Sequence, residues 1–232
     1  MRQFPLMIFA AGRGTRMAHL SLNRPKPLIA VAGRSLLDHA LHIAASPVVL
    51  RKVINLHYLG DQIERYLQGK DIAISWERDA LLETGGGLRH ALPLLGPGPV
   101  MVLNSDSVWS GPNPLSALAQ AWDETRMDAL VLMVPVAKAL GHTGTGDFLL
   151  DSAGRISRAN GASAPVYVGA QIVNPDLLAS IPDQVFSLNR LWDRAIATGR
   201  ACGILYDGQW CDVGRPEGIA LAEAMLASSG DV

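Results

Sequence analysis

Residues 9–17 read Phe-Ala-Ala-Gly-Arg-Gly-Thr-Arg-Met and follow a short apolar run. Gly12 and Gly14 permit a tight turn and let an anion approach backbone N–H groups without interference from a Cβ. Arg13 and Arg16 add fixed charges that can grip phosphate oxygens in pairs. Farther on, Asn23-Arg24-Pro25-Lys26-Pro27-Leu28 sets a lysine between two prolines, which hold the backbone extended and aim the ammonium in one direction. The two glycines alone fit an ordinary strand-to-loop turn equally well; the arginines and Lys26 shift the reading toward a phosphate cradle. Two better-known cradles are excluded. No Lys-Ser or Lys-Thr closes the loop, as GxxxxGK[ST] requires, and Met17 stands where GxGxxG needs glycine.

Such a loop needs a strand before it and a sheet around it. Apolar runs at residues 6–10, 52–56, 72–76, 100–104 and 129–134 read as strands. They alternate with helical patterns at 35–45, 61–68, 87–95 and 114–124. Ser35 is the expected N-cap of the first of these helices, with Asp38 in its first turn. This βα rhythm over residues 1–135 predicts an α/β, Rossmann-like, doubly wound sheet. The rhythm then changes. Segments 147–150, 155–159 and 166–173 read as strands, the first two joined by the turn Asp151-Ser152-Ala153-Gly154. Helices at 187–198 and 216–227 flank a last strand at 204–206. The expectation is a mixed sheet in a single domain, 1–232, whose hairpin insertion walls one side of a pocket. Trp76, Trp109, Trp122 and Trp192 are read as packing residues.

Composition narrows the partners. A chain of 232 residues fits one domain, and a net charge of -1 argues against a nucleic-acid partner. A mean hydropathy of +0.19 raises the question of a membrane. The longest apolar runs, such as 6–11 and 129–137, fall well short of the roughly 18 residues a spanning helix needs, so no membrane is expected. The apolar run after Arg2 is also too short for a secretory signal. Cys202 and Cys211 have no CxxC partner, and two reduced, buried thiols in a cytoplasmic protein are expected.

The ordered set of motifs resembles one family. Ala10-Ala11-Gly12-x-Gly14-Thr15-Arg16-Met17, then Arg24-Pro25-Lys26-Pro27-Leu28, then Gly33 with Leu36-Leu37, is similar to the N-terminal signature of the sugar-1-phosphate nucleotidylyltransferases. Glu83-Thr84-Gly85-Gly86-Gly87 resembles the family's second glycine loop. Val102-Leu103-Asn104-Ser105-Asp106 and Trp210-Cys211-Asp212-Val213-Gly214 resemble its two acidic motifs, with Ser105 where the family usually has glycine. Leu82-Glu83-Thr84, Asn104-x-Asp106 and the segment 187–193 are most like the short bacterial branch that joins UTP and N-acetylmuramate 1-phosphate in cell-wall sugar recycling. Mannose-1-phosphate guanylyltransferases share the plan, and hexose 1-phosphates stay open.

The resemblance implies the fold of nucleotide-diphospho-sugar transferases, with a nucleotide-binding half at 1–135 and a sugar-phosphate-binding half at 136–232. It implies attack by a sugar 1-phosphate oxygen on the α-phosphorus of a nucleoside triphosphate, giving an NDP-sugar and pyrophosphate. Arg16 and Lys26 would be catalytic, stabilising the triphosphate. Ala10, Ala11, Gly12, Arg13, Gly14, Thr15, Thr84 and Gly86 would bind the nucleotide, its base lying between the 10–12 backbone and Gly86. Asp106 and Asp212, each ending an apolar run, would hold Mg2+. Asn104, Asp147, Asn160, Gly169 and Trp210, with Tyr167 beside Gly169, are the sugar-binding candidates. The six histidines form no cluster, so no general base is expected. The alternative from another class is a catalytically silent, NDP-sugar-binding regulatory relative. Such relatives lose the metal aspartates or the phosphate lysine, and all of these are present. Without a hexapeptide-repeat extension after the last helix, a monofunctional monomer or small homo-oligomer is expected.

Overall fold

Strand β1 (Phe4–Phe9) is apolar on both faces, and the reason lies in what covers it. Leu6 and Ile8 enter one core while Met7 between them enters another, the period-2 signature of a strand with helices on either side. The computed structural model describes residues 2–230. After β1 the chain forms the hairpin β2 (Ala30–Val31) and β3 (Arg34–Ser35), α1 (Leu36–Ile43), β4 (Val49–Leu56), α2 (Gly60–Tyr66), β5 (Ala73–Trp76) and α3 (Glu83–Leu95). Then come β6 (Val100–Asn104), β7 (Ser107–Ser110), α4 (Pro114–Ala121), β8 (Ala129–Val134) and β9 (Ala139–Leu140). The last part holds β10 (Phe148–Leu150), β11 (Ile156–Arg158), β12 (Val166–Val173), α5 (Asn189–Ala197), β13 (Ala201–Leu205), β14 (Gln209–Asp212) and α6 (Glu217–Ser229).

The main sheet has seven strands in the order β13-β8-β12-β6-β1-β4-β5. Only β12 runs antiparallel to its neighbours, so the doubly wound, mixed α/β sheet is as expected. Helices α1, α2 and α4 cover one face, and α3 and α5 the other. A third, smaller core under α6 joins Met17 of the phosphate loop to Cys211 and Val213, on either side of Asp212. Ser35 caps α1 as read, its Oγ accepting the Asp38 N–H at 3.0 Å. No helix of the described residues is long and apolar enough to cross a membrane.

Three expectations need correction. The helix read from residue 87 begins at Glu83, so Gly85, Gly86 and Gly87 lie inside it rather than in a loop. The β10–β11 hairpin does not wall the main cleft. Its turn is tied to the sheet edge by Gly203 N–H donating to the Gly154 carbonyl at 3.0 Å. Finally, Lys26 is not in extended backbone: Pro25 is extended, but Lys26–Leu28 forms a 3-10 turn.

Candidate active site

β1 is followed in the sheet by β4 on one side and, later in the chain, by β6 on the other, so the strand order reverses between β1 and β6. Loops leaving the carboxyl ends of two such strands turn apart and leave a crevice. The principal cleft, about 430 Å³, opens there, at the ends marked by the paired residues Phe9 and Asn104. Ala10, Ala11, Gly12, Gly14, Thr15 and Arg16 line one wall, with Lys26, Asn104, Ser105 and Asp106 adjoining and Thr84 opposite.

The two glycines of the phosphate loop act differently. Gly14 has φ +63°, and a Cβ there would lie 2.9 Å from Lys26 Cβ, so the turn and its approach to Lys26 both require glycine. Gly12 has no neighbour within 4 Å of a would-be Cβ. Its missing side chain therefore leaves space at the cleft wall. Met17, where glycine would be needed for GxGxxG, is fully buried and anchors the loop to the α6 core.

Tertiary pairing brings Asp106 and Asp212 together. β14 runs antiparallel to β7 with Asp212 opposite Ser107, and Val213 N–H donates to the Asp106 carbonyl at 2.9 Å. Lys26 Nζ then donates to Asp106 Oδ2 at 2.7 Å, its side chain only 10% exposed. Burial raises the Asp106 carboxyl, but the Lys26 charge and hydrogen bond, helped by Arg16, outweigh it and hold Asp106 below the ordinary carboxylate range. Asp212 shifts the other way. Burial first, then the charge of Asp106, push it above its ordinary value against Lys26 and Arg16. Two carboxylates that repel one another, only one of them paired with an ammonium, form a site that favours additional positive charge.

Among the described residues no group of three or more His, Cys, Asp or Glu is placed to hold a metal ion. The pair Asp106 and Asp212 is nevertheless a suitable donor set for Mg2+, a hard ion that keeps several waters and takes its remaining ligands from phosphates. Lys26 already occupies the cation position on Asp106. Ser105 fits its position without strain. It has no positive φ, and its Oγ donates to the Phe9 carbonyl at 2.6 Å, tying the end of β6 to the end of β1.

The remaining candidates divide. Thr84 lines the cleft, and its Oγ1 accepts the Leu188 N–H at 2.9 Å, joining α3 to the approach to α5. Gly86 is buried and does not line the cleft. Its N–H is taken by the Phe186 carbonyl at 3.0 Å, and a Cβ would meet the Gln184 carbonyl at 2.4 Å. It is a packing glycine. Arg13 is exposed and also off the cleft lining. Ala10 lines the cleft, but its N–H is held by Asn55 Oδ1 at 2.8 Å and is not free for a ligand.

On the sugar side, Asn104 lines the cleft, and Gly169 supports it from behind. At φ +81°, a Cβ on Gly169 would lie 2.8 Å from Asn104 Cβ. Asp147 is exposed, accepts the Tyr167 N–H at 2.8 Å, and lies outside the lining of the main cleft. Burial foremost, then the charges of Asp106 and Asp147, raise the Tyr167 phenol, so Tyr167 is within electrostatic reach of both carboxylates. Asn160 is exposed in a turn at φ +49° and Trp210 is 5% exposed; neither lines the cleft. Trp210 packs edge-on against Trp109, its partner across the β7–β14 pair, as part of the core.

Sequence reasoning missed Asn55, which lines the cleft, and Glu77, which is buried behind it, and gave no site role to Glu83, which also lines the cleft. Glu83 is a non-glycine residue at φ +60° at the helix entry. No local motif flags Asn55, since it lies at the end of an apolar strand and is placed only by the pairing of β4 with β1. The cleft lining contains no histidine.

Comparison with known proteins gives consistent results. Residues 6–164 match the family model for a MobA-like NTP transferase domain. An N-acetylmuramate alpha-1-phosphate uridylyltransferase of Caulobacter vibrioides is 43% identical, covering 96% of this chain and 97% of that relative. One from Neisseria meningitidis serogroup B is 34% identical, covering 96% and 98%. Among solved structures, a UDP-glucose pyrophosphorylase from Acinetobacter baumanii superposes with a TM-score of 0.79 at 16% identity, covering 97% of this chain and 93% of that one. At that identity the likeness concerns the fold alone.

Proposed function

The chain belongs to the MobA-like NTP transferase family and is a sugar-1-phosphate nucleotidyltransferase, and on that premise we propose that it transfers a uridylyl group from UTP to N-acetylmuramate 1-phosphate. The products are UDP-N-acetylmuramic acid and pyrophosphate, as suits cytoplasmic salvage of a cell-wall sugar. The observation that carries the reading is a loop-lined cleft whose lining includes Arg16, Lys26 and Asp106, with Asp212 close enough to Asp106 to feel its charge. The choice of UTP and of muramate is supported by the two relatives that match over nearly their whole lengths.

The geometry suits this reaction. An oxygen of the sugar 1-phosphate forms a bond to the α-phosphorus while the α–β bridging bond breaks and pyrophosphate leaves. The attacking oxygen is already anionic at neutral pH, so a cleft without histidine has no missing base. What the site must supply is alignment and charge neutralisation of three phosphates and a fourth. Arg16 and Lys26, both in the cleft lining, would do this. Mg2+ held by Asp106 and Asp212 would offset repulsion between the α-phosphate and the incoming phosphate. Lys26, which pairs with Asp106 and lines the cleft, would supply positive charge to the triphosphate.

A panel crossing UTP, GTP, CTP and ATP with the 1-phosphates of N-acetylmuramate, N-acetylglucosamine, glucose and mannose, read as pyrophosphate release with Mg2+, tests the proposal. UTP with N-acetylmuramate 1-phosphate should give the highest kcat/KM. A hexose 1-phosphate with another nucleotide as the best pair would overturn the substrate assignment. No release with any pair would favour the NDP-sugar-binding regulator.

A further inference from the structure

The nucleotide wall of the cleft rests on a buried polar chain that the reaction itself does not use. Glu77 is 2% exposed and Asn55 3%. Asn55 Nδ2 donates to Glu77 Oε1 at 2.7 Å, and Asn55 Oδ1 accepts the Ala10 N–H at 2.8 Å. The second oxygen, Glu77 Oε2, accepts the Leu82 N–H at 2.8 Å, one residue before α3. His57 Nδ1 lies 2.6 Å from the Glu77 carbonyl and holds that residue's backbone. Glycine at 87 makes room for the chain, since a Cβ there would lie 2.6 Å from Glu77 Oε1 and 3.0 Å from Asn55 Nδ2.

We infer that Glu77 and Asn55 are positioning residues, a buried relay that sets the separation between Ala10 at the end of β1 and Leu82 at the entry to α3. Ala10 lines the cleft and Leu82 stands between the lining residues Leu81 and Glu83, so the inference rests on the reading that a nucleotide binds there. The relay has a direction. Both Glu77 oxygens accept, Asn55 donates toward Glu77 and accepts from Ala10, and each terminus is a backbone N–H. A buried group left facing a like group costs far more than the hydrogen bond itself contributes, so reversing one link distorts the spacing.

The direction makes the inference testable by exchange. In Glu77→Gln, the new amide NH2 must face either Asn55 Nδ2 or the Leu82 N–H, donor against donor. In Asn55→Asp, two acceptor oxygens meet. In the double variant Glu77→Gln/Asn55→Asp, the glutamine NH2 donates to the aspartate, whose other oxygen accepts from Ala10, while the glutamine oxygen accepts from Leu82. Every partner is again satisfied, with the same formal charge.

Steady-state kinetics on the three variants, using whichever triphosphate the wild-type chain turns over fastest, decide the matter. Each single variant should raise KM for the nucleotide on the order of ten-fold, with KM for the sugar 1-phosphate nearly unchanged. The double variant should return nucleotide KM to within about three-fold of wild type, a coupling that independent sites do not show. A merely structural role would lower the melting temperature without splitting the two KM values. Nucleotide KM unmoved in the single variants, or a double variant whose effects simply add, would overturn the inference. If a single variant fails to fold, the double decides: folded and active supports the relay, unfolded overturns it. A preference for a triphosphate other than UTP would overturn the donor assignment above and leave this test intact.

Discussion

Removing the Lys26 ammonium separates its two roles. In Lys26→Ala the ion pair to Asp106 Oδ2 is lost, leaving Asp106 without its paired cation and both Asp106 and Asp212 without that nearby positive charge. Stability should fall by about 1–3 kcal/mol, the cost of leaving one partner of a partly buried pair; the 33% exposure of Asp106 keeps it toward the low end. A domain with about 5–15 kcal/mol of net stability survives this loss, so the variant should be folded at 25 °C. Activity should fall much further, on the order of 10² to 10³ in kcat, because the charge that meets the triphosphate is gone. Divalent-cation affinity should move in the opposite direction. Lys26 competes for the oxygen a metal would use, so Mn2+ should bind the variant at least as tightly as wild type. Pyrophosphate release, urea unfolding and Mn2+ titration by electron paramagnetic resonance give the three numbers. A folded Lys26→Ala with near wild-type kcat would refute the role assigned to the lysine. Loss of Mn2+ binding would refute the competition between ammonium and metal.

Asp212→Asn should inactivate the enzyme yet raise its melting temperature at pH 8. The Asp212 carboxyl is pushed up by burial and by Asp106, so its ionisation costs stability, a loss that starts as pH rises past the ordinary carboxylate value and is complete above the raised one. The gain should shrink as pH falls and vanish below the ordinary carboxylate range, where wild-type Asp212 is neutral in both folded and unfolded chains; calorimetry at pH 8 and at about pH 3 checks the sign. Ser105→Gly, which restores the residue usual in the family, should cost about 1–2 kcal/mol in urea unfolding, through the lost bond to the Phe9 carbonyl and added chain entropy, with kcat little changed. Both thiols should resist iodoacetamide at pH 8 until the protein is unfolded, as mass spectrometry would show. Burial raises both, and Cys211 is pushed up to about 12, Asp212 adding to the burial.

The gathering of the loop residues at one cleft was legible in the chain because it is local. Gly14, Arg16 and Lys26 lie within one short stretch, and their types and spacing predict a turn with two cations beside it. The sheet was legible for a similar reason. Runs such as Leu6, Met7 and Ile8 show no polar face, and only a strand covered on both sides can bury them. The long-range pairings were not legible. That Asp212 stands beside Asp106 follows from the register of β14 on β7, and the same register turns Trp210 into the core. That Gly86 packs against residue 184 instead of facing a ligand follows from where the segment before α5 crosses α3. That Glu77 and Asn55 form a relay follows from the parallel alignment of β1, β4 and β5. In each case the residue's type restricts what it can do, but its partner lies tens of residues away. A shift of one position in a strand would send the same side chain to the opposite face, so its neighbours are decided only when the whole sheet closes.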